Sequence, residues 1–341
     1  MSIPAFLNRV VARESLSASE AERAMAAILD GEASTAQIAA FLVALRMKGE
    51  TAEELFGFAK AMRARMIRVE AGDSLIDTCG TGGDDTGTFN ISTVVAFVVA
   101  GAGLAVAKHG NRSISSRCGS ADILEALGVR IVLAPEKISE CIREVGIGFL
   151  FAPALHPAMK NAQPARLELK MRTAFNLLGP LCNPAGAPYQ LIGAPSAEAA
   201  GLMANALARL GLKRGFVVHG SDGLDEITTT GRTLVFEVRG GQVGQLYVEP
   251  EAFGVPRAGM EQLKGGDKVE NARIALEVLN GERGARRDIV LVNAAAALVA
   301  AGNAHNWAEG VTQAEAAIDG GAALRKLNLL REFTGIAERG A

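Results

Sequence analysis

From "AGDSLIDTCG" onward the chain alternates short β-like runs with helical ones. "SLIDTCG" leads into "ISTVVAFVVAG", "GLAVAKHG" into "SADILEALG", and "VRIVLA" into "EKISECIREVG". "IGFLFAP" follows, and later "YQLIGAP", the helical "SAEAAGLMANALARLG" and "RGFVVHG". Such a rhythm implies an α/β fold with a mostly parallel sheet flanked by helices. "TLVFEVRGGQVGQLYV" is the exception and predicts a hairpin turning at Gly240–Gly241. Residues 1–70 contain no strand-like run. There, Ser17 with Glu20 and Thr51 with Glu54 fit capping boxes, and Leu55, Phe58, Ala59, Met62 and Met66 follow at helical spacing. Val269 to Ala337 is again mostly helix. The expected division is a small helical domain, 1–72, and a larger α/β domain, 73–341. "ARLELKMRTAFNLLGPLCNPAGAP" interrupts the alternation; it either packs back onto the helical unit or is an ordinary connection.

Bulk properties narrow the function. The chain has 341 residues, the length of about two domains. Thirty-five basic against 37 acidic residues give a formal charge of −2, so a polyanion would have to be held locally. Binding to nucleic acid through a global field is disfavoured. Cys79, Cys118, Cys141 and Cys182 show no CxxC spacing and read as reduced thiols in a cytoplasmic protein. The N-terminus lacks the apolar core of a signal peptide, and "ISTVVAFVVAGAGLAVA" is too short and glycine-broken for a membrane span.

Several loops carry chemistry. "DTCGTGGDDTGTFN" follows a strand-like run and precedes a helix, the setting in which backbone N–H groups converge on an anion. It matches neither a Walker A motif nor a dinucleotide fingerprint, since Asp85 stands where the third glycine belongs. A tight turn explains "GTGG" equally well. Thr88, Asn90, Ser92 and Thr93 supply more short polar side chains than one helix cap needs. "KHGNRSISSRCGSAD" leaves the next strand at the same edge, with Lys108, His109, Arg112 and Arg117 among serines; the run is either an ordinary solvated surface or, from its place at that edge, a site for several phosphates. "HGSDGLDEIT" places Asp225 and Glu226 after a further strand. They form either a solvated pair or a Mg²⁺ site completed by substrate phosphates. Arg166 could hold a small carboxylate bidentately.

"GTGGD", "FNIST", "KHGNR", "SADILEALG", "HPAMK", "FNLLGPLCNPA" and "VVHGSDGLDEIT", in this order, closely resemble the anthranilate phosphoribosyltransferase family. The resemblance implies transfer of phosphoribose from 5-phosphoribosyl 1-pyrophosphate (PRPP) to the amino group of anthranilate in tryptophan biosynthesis, releasing diphosphate. It further implies two Mg²⁺ ions per active site, and a homodimer formed through the helical domains. The helical domain would be hinged to the α/β domain with the active site at their junction, and residues of about 166–186 would return to the helical unit. By motif position, Gly80, Gly83, Asp84, Thr88, Asn90, Ser92 and Thr93 would contact PRPP. Lys108, Asn111, Arg112, Ser115, Ser116 and Ser120 would join them from the second loop. Gly80, His109, Asn111, His156, Arg166 and Pro180 would line the anthranilate path. Ser92, Asp225 and Glu226 would serve the metal. No acid, base or nucleophile is assigned, and His109 and His156 are candidate positioners. The chain departs from the family at Asp85, where glycine is usual, and at Leu167 and Lys170.

Two other classes bear comparison. A pyrimidine nucleoside phosphorylase shares the two-domain plan but would carry a different second loop. A non-catalytic relative binding nucleic acid in a basic groove is opposed by the net charge, the Asp225–Glu226 pair and Arg166.

Overall fold

The computed structural model describes residues 2–82, 86–113 and 117–335. Helices α1 (Ile3–Val11), α2 (Ala18–Leu29), α3 (Thr35–Lys48) and α4 (Ala52–Arg63) build the N-terminal unit. Capping boxes open α2 at Ser17–Glu20 and α4 at Thr51–Glu54, as the sequence predicts, and α3 at Ser34–Gln37. Glu54 does more than cap. Its buried carboxylate also accepts from Leu16 N and Lys48 Nζ, both at 2.9 Å, tying three connections together.

The α/β part continues through β1 (Leu75–Gly80), α5 (Ile91–Gly101), β2 (Ala105–Gly110), α6 (Ser120–Ala126), α7 (Pro135–Val145) and β3 (Ile147–Phe151). Short helices α8 (Ala152–Leu155), α9 (Gln163–Leu169) and α10 (Ala174–Leu178) precede β4 (Tyr189–Gly193), α11 (Ala197–Arg209) and β5 (Arg214–Gly220). The hairpin β6 (Thr233–Arg239) and β7 (Gln242–Val248) follows, then α12 (Lys268–Leu279), α13 (Ala285–Ala301), α14 (Trp307–Asp319) and α15 (Ala322–Gly335). Gly240 and Gly241 have φ of 57° and 79°, the left-handed pair that a two-residue hairpin turn requires.

The strands form one sheet in the order β3-β2-β1-β4-β5-β6-β7, parallel from β3 to β5 and antiparallel beyond. The chain builds outward from β1 to β3, then returns to β1's other side with β4. That reversal leaves a crevice at the carboxyl ends of the central strands. Neighbouring residues on a strand serve opposite faces: Leu191 and Phe216 enter the core around α5 and α13, whereas Ile192 and Val217 enter the core shared with α11 and the N-terminal helices. That second core also takes Ala162, Ala165, Phe175, Leu178 and Leu181, because α9 packs on α3, and α10 on α3 and α4.

The sequence predicts a strand at "VRIVLA", and here the structure differs. Residues 129–134 belong to no strand of the sheet. Val129 and Ile131 are buried, and Arg130 N donates to Thr334 Oγ1 of α15 at 3.2 Å. A β-like pattern needs a free edge as a partner; this segment is committed to a helix instead.

Candidate active site

The loops after β1, β4 and β5 meet at the carboxyl edge. Gly82 N donates to Asp225 Oδ2 at 2.8 Å. A Cβ on Gly80 would run into the Asp225 carboxylate, which would have to turn from its bond with Gly82, and one on Gly193 would overlap the Asp225 backbone, which cannot turn, so Gly193 is the strand end that must be glycine. Asp225 and Glu226 are buried rather than solvated. Their loop is held from two sides. Asp222 accepts from the Thr228 and Thr230 hydroxyls, both at 2.5 Å, and from Leu224 N at 3.1 Å. Asn293, fully buried on α13, accepts from Ile227 N and donates to Ile227 O, both at 2.9 Å.

Strand alternation splits the "KHGNR" residues between two faces. Lys108, buried, turns towards α5, where Nζ donates to Thr78 O at 2.5 Å and to Ser92 Oγ at 3.4 Å. Burial lowers its pKa, opposed by the negative field of Asp77 and Glu226. His109 turns the other way. Its Nδ1 donates to Gly179 O at 3.2 Å, leaving Nε2 as the acceptor 3.2 Å from His156 Nε2. Burial holds both imidazoles below their usual value, His109 at about 3 and His156 at about 4. Both are neutral at physiological pH.

The small polar residues are partly committed to structure. Asn90 heads α5 without capping it. Its Nδ2 donates to Cys118 O at 3.0 Å, and its Oδ1 accepts from Asn271 Nδ2 at 2.9 Å, joining the first loop to the second and to α12. Thr88 forms a bridge with Lys264. Asn111 Oδ1 accepts from Arg112 N at 2.7 Å, and Ser120 Oγ donates to Asn111 O at 3.2 Å. Arg112 does not stand free: Glu125 takes its guanidinium bidentately at 2.7 and 2.8 Å, with Asp122 at 2.9 Å. The Thr93 and Thr81 hydroxyls are buried with no hydrogen-bond partner among the described residues, two polar atoms left facing inward at this edge. Gly83, Asp84, Ser115 and Ser116 lie outside the described residues, as does Asp85.

The connection from β3 to β4 forms the remaining wall. Half-buried Arg166 lies over the Phe175 ring at 5.3 Å, with no carboxylate paired to it among the described residues. Burial lowers its pKa without threatening its charge. Pro180 is buried in a 3-10 turn whose Pro180 O accepts from Gln190 Nε2 at 2.9 Å.

Sequence reasoning missed the residues that hold this edge together: Asp77, Asn183, Asn271 and Asn293. Asp77 alone carried a signal, being an acid inside a β-like run.

Among the described residues, no group of three His, Cys, Asp or Glu is close enough to cage a metal. The donor set at the edge is two buried carboxylates and the Ser92 hydroxyl, all hard oxygens. That suits Mg²⁺, which takes one or two carboxylates and fills its other positions with water and phosphate. The residues therefore fit a metal that arrives with a phosphorylated substrate.

A helical unit beside a mostly parallel sheet, with buried carboxylates and a lysine at the sheet's carboxyl edge, is the plan of the two-domain glycosyl transferase family. Residues 4–66 match the helical bundle domain of the glycosyl transferase family, and residues 72–324 match its a/b domain. The anthranilate phosphoribosyltransferase of Solibacter usitatus is 63% identical over 336 residues, 98% of this chain and 99% of that protein. The crystal structure of the Thermus thermophilus enzyme of that name superposes with a TM-score of 0.92 at 44% identity, covering 98% of this chain and 100% of the other. The Saccharomyces cerevisiae enzyme in complex with PRPP and Mg gives 0.90 at 29% identity, with 98% of each chain covered. The chain belongs to the anthranilate phosphoribosyltransferase family.

Proposed function

We infer that this protein transfers phosphoribose from PRPP to the amino group of anthranilate, with release of diphosphate, in tryptophan biosynthesis. The observation that carries the reading is that Gly82 N is bonded to Asp225 while Lys108, from the neighbouring strand, reaches Thr78 and Ser92 at the same sheet edge, with the His109–His156 pair on its other face. PRPP lies over the first two loops, on Gly80, Gly83, Asp84, Thr88, Asn90, Ser92, Thr93, Lys108, Asn111, Arg112, Ser115, Ser116 and Ser120. Arg112 exchanges Glu125 and Asp122 for phosphate as it binds. Anthranilate enters along His109, His156, Asn111, Pro180 and Gly80, with its carboxylate on Arg166.

Ser92, Asp225 and Glu226 would hold two Mg²⁺ ions, which stabilise charge on the departing diphosphate. Lys108 adds a fixed cation in a dry setting, where it counts for more than in water. The acceptor is an aromatic amine, already unprotonated at neutral pH, so no strong base is needed. Neutral His109 and His156 orient it and shield it from water rather than accept its charge. Alignment of the amine with ribose C1 supplies much of the rest: the C1–N bond forms as the C1–O bond to diphosphate breaks, and the proton the amine sheds passes to the departing diphosphate or to water. No covalent intermediate is formed.

The active form is a homodimer joined through the helical domains. No helix among the described residues is long and apolar enough to cross a membrane. The pathway and the free cysteines support a cytoplasmic location.

The test is pyrophosphate release from PRPP and Mg²⁺, with and without anthranilate. Anthranilate-dependent release is expected. Phosphate-dependent cleavage of thymidine or uridine in its place would overturn the reading.

A further inference from the structure

The central ladder of the sheet is cut short at the ligand edge. β1 pairs with β4 from Ile76 to Gly80, and β2 pairs with β3 from Val106 to Gly110, but β1 pairs with β2 only at Leu75↔Ala105 and Ile76↔Val106. Backbone groups beyond that point are buried and need other partners. Side chains provide them. His109 N donates to Asp77 Oδ1 at 3.1 Å, Asn183 Nδ2 donates to Ala107 O at 2.9 Å, and Lys108 Nζ donates to Thr78 O. Asn183 Nδ2 also donates to Asp77 Oδ2 at 2.7 Å, and its Oδ1 accepts from Ala185 N at 2.8 Å. Both Asp77 and Asn183 are buried.

Asn183 caps the turn Pro180–Cys182, and that turn is tethered all round. Gly179 O takes His109 Nδ1, Pro180 O takes Gln190 Nε2, and Leu181 O takes Arg63 Nε of α4 at 2.7 Å. The Asp77–Asn183 contact is thus where the turn is anchored to the open part of the sheet. We propose that Asn183, acting with Asp77, is a positioning residue for the acceptor amine. It fixes the Gly179–Pro180 turn against His109, and so sets the width of the anthranilate path without touching either substrate. This rests on the functional reading above.

The test compares Asn183→Ala, Asn183→Asp and the double variant Asp77→Asn/Asn183→Asp in full-length protein, with folding followed by circular dichroism. Losing the anchor should raise the KM for anthranilate by about tenfold or more while the KM for PRPP stays within about twofold, the scale of one buried hydrogen-bond set. Asn183→Asp sets a second carboxylate against Asp77 and should be worse than Asn183→Ala. The double variant exchanges the two groups and restores one donor to one acceptor across the contact. The amide then at position 77 can donate to the carboxylate at position 183 and still accept from His109 N. It should recover at least about threefold over Asn183→Asp, as coupled neighbours do. If Asn183→Ala does not fold, the comparison of Asn183→Asp with the double variant decides. Equal rises in both KM values, or no recovery in the double variant, would overturn the inference while wild-type turnover leaves the functional reading intact. A wild type without anthranilate-dependent release would overturn both.

Discussion

Gly82 N and Asp225 Oδ2 are bonded at 2.8 Å across 143 residues of sequence, so the loop after β1 and the loop after β5 are fixed to each other before any ligand arrives. The closeness of these loops makes the glycines at the strand ends the most sensitive positions of the edge.

Gly193→Ala is expected to lower turnover by about a hundredfold or more, because a displacement of about 1 Å at reacting groups costs that much. Its Cβ would overlap the Asp225 carbonyl, and a backbone, unlike a side-chain tip, cannot turn aside. Steady-state kinetics on protein that still shows the native circular dichroism spectrum would check this. Near-native turnover would mean that Asp225 need not sit where it does.

Replacing Asp225 and Glu226 together by alanine should abolish most metal-dependent turnover. Titration with Mg²⁺ is the measurement. An unchanged metal response would take both carboxylates out of the metal site.

Arg166→Ala should raise the KM for anthranilate by about tenfold to a hundredfold, the range for a charged hydrogen bond of about 1.5–3 kcal/mol, with little change for PRPP. The guanidinium rests on Phe175 with no carboxylate paired to it among the described residues, so removing it should cost binding more than folding. Equal effects on both substrates would refute the carboxylate assignment.

The His109–His156 pair predicts a pH dependence of stability. Burial holds the native pKa values at about 3 and about 4, below the ordinary 6.5, so in acid the unfolded chain binds protons that the native protein refuses. Stability from this source is complete above about pH 6.5 and is lost as the pH falls from there towards 4 and 3. His109→Gln/His156→Gln should flatten the melting temperature over that interval. A wild-type slope retained in the double variant would assign the acid sensitivity to other groups.

Lys170 closes α9 with φ of 48°, a left-handed position where glycine carries no Cβ penalty. Lys170→Gly should stabilise by about 0.5–1 kcal/mol. A small rise in melting temperature is the expected reading, and a fall would mean that the lysine side chain makes up the strain.

Much of this molecule was legible because its signals are local. Strand–helix alternation, the Ser17 and Thr51 capping boxes and the Gly240–Gly241 turn each depend on residues a few positions apart, and each formed where expected. "VRIVLA" misled because a strand is a pairing, and its partner is not written nearby. Motif resemblance likewise named the candidate residues at the edge, but could not say that Asp225 and Glu226 are buried, that Arg112 is already paired, or that Asn90 is shared between Cys118 and Asn271.

The sequence by itself determined the order of elements apart from "VRIVLA", the mostly parallel sheet and the identity of the loops at its carboxyl edge, since periodicity, caps and turns act over a few residues. Only the tertiary structure decided how β1 and β2 part and what fills the gap. Asp77 and Asn183 meet across 106 residues, and the need that joins them, buried backbone groups without a ladder, does not exist until the sheet has formed.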